Sequence, residues 1–199
     1  MTTAVTTLHQ TERELTTTTQ TQSHSPILPG STIGVLGGGQ LGRMLALAAK
    51  RMGYRVHVLS PERDSPARQV ADLAIEAEYD NVEVVERFAR NVDVVTFEFE
   101  NVPLAAAEAA ARHAPVRPGG GVLHTTQNRV REKAFLRDSG VPHARVETVE
   151  SLDQLRAALG RIGVPAVLKS ADWGYDGKGQ FKFTNAGQAG EAWKAIDER

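Results

Sequence analysis

From residue 31 onward, short apolar runs rich in β-branched side chains alternate with longer stretches in which apolar residues recur every three or four positions, the pattern of strands alternating with helices. Ser31–Leu36 reads as a buried strand, Gln40–Met52 as a helix, Arg55–Leu59 as a strand, Asn81–Arg90 as a helix, Asp93–Phe99 as a strand, and the alanine-rich Leu104–Arg112 as a helix. Such alternation builds βαβ units, so the expected fold class is α/β, with a doubly wound parallel-sheet domain over residues 31–127. A second unit follows over 128–199. It reads as helix Asn128–Ser139 stopped by Gly140, strand Arg145–Val149, helix Leu152–Leu159, strands Ala166–Ser170 and Gln180–Phe183, and helix Ala186–Glu198. Ser151 with Gln154, and Asn185 with Gln188, have capping-box spacing. Val130, Ala134 and Phe135 are expected to face a core. This unit has too few elements to cover both faces of its sheet, and no glycine, proline or polar tail follows its last helix. The expectation is an incomplete α+β domain.

Residues 1–30 have a different texture: Thr, Ser and Gln dominate, and Leu8 and Leu15 are almost the only large apolar side chains before Pro26. Burial there cannot offset the entropy of ordering, so the segment reads as a disordered tail, a regulatory or partner-binding arm being the functional alternative.

Composition narrows the function classes. A content of 41% hydrophobic and 24% charged residues suits a globular chain with a real core, and a formal net charge of −1 gives no basic field to concentrate nucleic acid. With no cysteine, disulfides, thiolate zinc sites and cysteine nucleophiles are excluded, and the six histidines are scattered rather than paired as on a metal-binding helix, so they read as surface or structural. No apolar run approaches a membrane span and the start lacks a secretory pattern, so no membrane partner is expected and a cytoplasmic enzyme fits best.

Three constellations carry chemistry. Gly37-Gly38-Gly39-Gln40-Leu41-Gly42 directly follows a strand and opens a helix, where glycines let the backbone approach a phosphate and the helix N-terminus supplies oriented N–H groups. A nicotinamide site wants an acidic residue at the end of the second strand; Ser60 stands there and Glu62 lies beyond a proline, which favours an anion-binding loop for a smaller phosphorylated ligand. A glycine-rich turn with no ligand remains open. On helix 128–139, Arg129, Lys133 and Arg137 are four residues apart and stack three cations on one face, as for an anion or as a solvated basic face relieved by Glu132 and Asp138. Val167-Leu168-Lys169 places a lysine at the end of an apolar strand, where burial would demand a partner such as phosphate. The following Trp173–Gln180 segment, with Gly174, Gly177 and Gly179 around Lys178, suits a loop closing over a polyphosphate, or a glycine-rich hairpin with an incidental charge. It is not a Walker A loop, because Gly179 stands where Ser or Thr should follow the lysine.

In order and spacing, TIGVLGGGQLGRMLALAAKRMGYRVHVL, the TFEFENVP stretch over Thr96–Pro103, QNRVREKAFL and LKSADWGYDGKGQ resemble the signature segments of the N5-carboxyaminoimidazole ribonucleotide synthetase family of ATP-grasp ligases, from about Thr32 to the last residue. The resemblance implies a pre-ATP-grasp domain followed by part of an ATP-grasp domain, and a reaction of ATP, bicarbonate and 5-aminoimidazole ribonucleotide through carboxyphosphate in purine biosynthesis. By matching position it implies ATP contacts from Arg129, Lys169 and, less directly, Lys133, with Gly174, Tyr175, Asp176, Gly177, Lys178, Gly179 and Gln180 covering the nucleotide. Tyr175, Asp176 and Lys178 are the implied catalytic residues, and Gly39, Gln40, Leu41 and Glu98 the implied ribonucleotide pocket. Glu98 also sits at a strand's carboxyl end, where open α/β sheets bind ligands; an exposed strand-end carboxylate is the plain alternative. Mg²⁺ is implied as cofactor, with its acidic ligands in a carboxy-terminal part this chain lacks; no metal ligand is named here, and these residues alone are expected to show no turnover. A homodimer is implied at full length. Rival readings are another ATP-grasp ligase, of the formate-dependent glycinamide ribonucleotide transformylase or biotin carboxylase type, and a dinucleotide-dependent oxidoreductase.

Overall fold

The computed structural model describes residues 26–172 and 179–197. Its first unit runs β1 (Thr32–Leu36), α1 (Gln40–Arg51), β2 (Arg55–Ser60), a 3₁₀ turn (Pro66–Gln69), β3 (Leu73–Glu76), α2 (Val82–Ala89), β4 (Val94–Phe97), α3 (Leu104–Ala111) and α4 (Gly120–Thr126). The four strands are all parallel in the order β3-β2-β1-β4. Beyond β4 an isolated parallel bridge from Val95 to Val116 extends the sheet by one position.

Alternation within the strands sorts side chains to two cores. Val35, Val56 and Val58 pack with Ala46 and Ala49 of α1, while Leu36, Leu59 and Val95 pack with Val85 and Phe88 of α2 and the alanines of α3 on the opposite face. This is the expected doubly wound domain. Close approach is built in at Gly34, where an added Cβ would lie 2.9 Å from the Phe88 ring. The chain entering β1 is tied down before residue 31, because Tyr54 donates to the Ile27 carbonyl and Gly30 N–H to that of Gly53. Residues 1–25 of the expected tail lie outside the described residues.

The second unit comprises α5 (Arg129–Asp138), α6 (Leu152–Ile162), β5 (Ala166–Lys169), β6 (Gln180–Phe183), a 3₁₀ turn (Ala186–Gln188) and α7 (Ala189–Asp197). β5 and β6 are antiparallel, and their small core joins Leu155, Leu159, Phe183, Ala189 and Ala192. Both capping signals act: Ser151 Oγ accepts from Gln154 N–H at 3.2 Å, and the Asn185–Gln188 box is complete in both directions.

The structure differs from the sequence reading in several places. Arg145–Val149 forms no strand, since a β-segment exists only by pairing and neither β5 nor β6 pairs with it. Val130 and Phe135 do not face a core: they are 42% and 58% exposed, and α5 buries no residue. The predicted last helix starts three residues late, after a 3₁₀ turn. β3 and α4 went unread, β3 because four residues are too few for a period and α4 because its GGVLHTT sequence consists largely of poor helix formers.

Candidate substrate and nucleotide sites

Strand order reverses direction at β1, whose neighbours are β2 on one side and β4 on the other. The crevice outside the carboxyl ends of β1 and β4 is therefore the topological switch point, the usual ligand position of such sheets. It holds a cavity of about 430 Å³ lined by Gly38, Gly39, Glu62, Asp64, Ser65, Pro66, Glu98, Phe99 and Asn101.

Glu98 is the centre of this site. Its backbone N–H continues the ladder to Leu36, and its carboxylate accepts from Gly39 N–H at 2.5 Å. Gly39 is the N-cap of α1, so the carboxylate occupies the anion position that helix dipole and free N–H create. The glycines make room for it: an added Cβ at Gly39 would clash with Glu98 Oε1, and one at Gly37, where φ is +127°, would lie 2.5 Å from Glu98 Cβ. The loop carries its own anion. That speaks against the expectation of a phosphate-binding loop, since a phosphate would have to displace Glu98 and face Glu62 and Asp64 with no Lys or Arg among the described lining residues.

The sequence reading set Glu62 aside as lying beyond a proline and did not reach Asp64. Ser60 Oγ donates to Glu62 Oε2 at 2.5 Å, turning that side chain back to the strand end despite the intervening proline. The absence of an acidic residue at this strand end was thus a poor argument against a dinucleotide; the occupied anion position is the better one. Tyr79 packs on Phe99, with ring centroids 5.9 Å apart. Burial, with nearby carboxylates, pushes the Tyr79 hydroxyl up to about 12, so it stays neutral. Of the remaining expected pocket residues, Gln40 and Leu41 lie exposed on the first turn of α1, outside the cavity lining.

Among the residues expected to contact a nucleotide, Arg129 opens α5 and its N–H donates to the Ala171 carbonyl at 2.8 Å, which brings that helix end to the end of β5, where Lys169 stands. Lys169 is exposed, so its charge is solvated and the argument from burial does not hold; β5 covers only one face, and Lys169 shares the open face with Val167 and with Lys182 of β6. Sequence reasoning passed over Lys182. Lys133 pairs with Glu132 at 3.0 Å, and Arg137 with Asp138 at 3.0 Å, which relieves the stacked cations of α5. Gly179 and Gln180 stand opposite Ser170 and Lys169. Gly174, Tyr175, Asp176, Gly177 and Lys178 lie outside the described residues. Among the described residues, no group of three or more His, Asp or Glu could hold a metal ion.

Comparison with known proteins agrees with this layout. Residues 30–127 match the ribonucleotide synthetase preATP-grasp domain, and residues 134–199 match the ATP-grasp domain. The N5-carboxyaminoimidazole ribonucleotide synthase of Brucella melitensis is 46% identical over 172 residues, covering 85% of this chain and 48% of that protein. A crystal structure of N5-carboxyaminoimidazole ribonucleotide synthetase in complex with ADP superposes with a TM-score of 0.80 at 44% identity, covering 86% of this chain and 46% of that one. The Aspergillus clavatus enzyme, solved with ADP and 5-aminoimidazole ribonucleotide, superposes with a TM-score of 0.74 at 35% identity, covering 85% and 44%. This chain therefore spans about half the length of the synthases it matches. In sequence and fold alike, it belongs to the N5-carboxyaminoimidazole ribonucleotide synthase family of ATP-grasp ligases.

Proposed function

We propose that the enzyme to which this chain contributes carboxylates the amine of 5-aminoimidazole ribonucleotide with bicarbonate, using ATP, in purine biosynthesis. The observation that carries the reading is the cavity at the switch point, where Glu98, Glu62 and Asp64 present acceptors to a ligand rich in hydroxyl and amine donors. Glu98 and Gly39 are among its lining residues, and Arg129 is bonded to Ala171, two residues past Lys169. A γ-phosphoryl group passes from ATP to bicarbonate, the amine nitrogen attacks the activated carbon, phosphate leaves, and the nitrogen loses a proton. This needs cations around the phosphoryl group and a fixed amine rather than a protein nucleophile. Arg129, Lys169 and Lys133 supply positive charge, and Glu98 holds the ribonucleotide. Tyr175, Asp176 and Lys178, with Gly174, Gly177, Gly179 and Gln180, keep the nucleotide-covering and catalytic roles that family likeness implies, and Gln40 and Leu41 the pocket edge. Mg²⁺ would neutralise phosphate charge; the described residues offer no ligand set, so no step is routed through it. A cytoplasmic homodimer belongs to the same family-based reading.

The test is substrate dependence in the full-length enzyme. ATP consumption should require bicarbonate and 5-aminoimidazole ribonucleotide together, and formate with glycinamide ribonucleotide should not replace them. Glu98→Gln should raise the KM for the ribonucleotide about ten- to hundredfold and spare that for ATP, the loss of a charged hydrogen bond being worth roughly 1.5–3 kcal/mol. Turnover with formate and glycinamide ribonucleotide would overturn the substrate and keep the ATP-grasp class.

A further inference from the structure

Three consecutive residues tie the two sides of this site together. The Gln127 side-chain nitrogen donates to the Glu100 carbonyl at 2.8 Å and to the Val102 carbonyl at 2.6 Å, both in the loop that carries Glu98. Both amide protons are used, so the carboxamide is held in one orientation. Asn128 works in the opposite direction. Its Oδ1 accepts from Val130 and Arg131 N–H at 3.0 Å each, capping α5, while its Nδ2 donates to Asp172 Oδ1 at 2.7 Å. Asn128 also bridges Asp172 along the backbone, and Arg129 N–H holds Ala171. Ala171 and Asp172 follow Lys169 directly along the chain after Ser170.

We propose that Gln127 and Asn128 are paired positioning residues, Gln127 fixing the Glu98 loop and Asn128 fixing the Lys169 end of β5, so that ribonucleotide and nucleotide are held at a set separation. The inference rests on the functional reading above. Neither side chain needs to touch a substrate; each acts through the backbone or side chain it holds. A reacting amine displaced by even about 1 Å loses most of its advantage over water, on the order of a hundredfold. An activated carboxyl group then meets water before it meets the amine.

Two variants separate the roles in the full-length enzyme. Gln127→Met keeps the length and removes both donors; it should raise the ribonucleotide KM about tenfold, leave the ATP KM unchanged and lower the product formed per ATP consumed. Asn128→Asp keeps the helix cap but sets a carboxylate against Asp172; it should raise the ATP KM about tenfold and leave the ribonucleotide KM unchanged. Hydrogen exchange on the 199-residue chain supplies a readout free of activity. Gln127→Met should speed exchange over residues 98–103 and leave residues 32–60 as they were. The proposal is overturned if both variants shift both KM values by equal factors, if neither shifts any, or if exchange over 98–103 is unchanged. Should the wild-type enzyme ignore bicarbonate and the ribonucleotide, the functional reading falls, and the exchange result still decides whether Gln127 holds the loop.

Discussion

At the residue scale the controlling pair is Gly39 and Glu98, 59 positions apart in the chain and joined by one short hydrogen bond. A methyl group at Gly39 would stand against Glu98 Oε1, and the carboxylate could move away only by giving up its bond from the Gly39 N–H. Gly39→Ala is therefore expected to destabilise the chain by roughly 1–3 kcal/mol, the ordinary cost of overpacking, measured by urea denaturation. It should also weaken ribonucleotide binding more than ATP binding. A destabilisation under about 0.5 kcal/mol would show that Glu98 moves aside freely, and its role as the loop's own anion would be lost. Tyr79, by contrast, stays protonated at every physiological pH, because burial pushes its hydroxyl up to about 12.

At the element scale, the amino ends of the strands are laced by side chains. Asp72, just before β3, accepts from Lys50 of α1 and from Val56 N–H of β2, both at 2.8 Å, and the Lys50 bond is the main reason its carboxyl lies below the ordinary range. His57 of β2 is pushed down mainly by burial, and its Nδ1 is buried without a hydrogen-bond partner. Both shifts are downward, so both contributions are complete above the unfolded-state values and are lost as pH falls through the folded ones. The unfolding midpoint should thus decline in two stages, the first below about pH 6.5 from His57 and the second below about pH 4 from Asp72 and from Glu86, whose carboxyl is lowered chiefly by Arg112. Calorimetry from pH 8 to 3 tests this: His57→Gln should remove the first stage, and Asp72→Asn should shrink the second. A midpoint as steep for His57→Gln as for wild type would show that the half-buried imidazole does not govern the upper stage. Ser151→Ala, removing the N-cap of α6, should cost about 1 kcal/mol.

At the scale of the whole molecule the two units are unequal. Among the described residues the parallel-sheet unit has two cores, one on each face, whereas the second has a single small one and leaves Val130, Phe135, Val146 and Val167 exposed. Burial of apolar area is the main stabilising term, so the second unit should open first. Hydrogen exchange of this chain should show amides of β5 and β6 exchanging well before those of β1 and β2; simultaneous exchange would mean one cooperative unit. Substitution should follow the same division. Phe88→Ala, in the sheet core, should cost about 3–5 kcal/mol, and Phe135→Ser, on the open face of α5, less than about 0.5 kcal/mol.

Local pattern carried the domain of parallel strands, since alternation in Val35-Leu36 and Val58-Leu59 already demands two covered faces, and it located the periodic helices, the last of them three residues early. The glycine loop and the TFEFENVP stretch were likewise visible, because a strand-to-helix turn and a strand end have characteristic residues. What the glycine loop binds was not visible. That depended on a carboxylate arriving from a strand 59 residues away, and no local pattern reports a contact of such range. Glu62, Asp64 and Asn101 entered the cavity only through loop paths set by packing, and Ser60 turned Glu62 inward across a proline that made it look remote. Val130 and Phe135 failed in the opposite sense: helical periodicity states which residues share a face, and only the tertiary structure decides whether anything covers it.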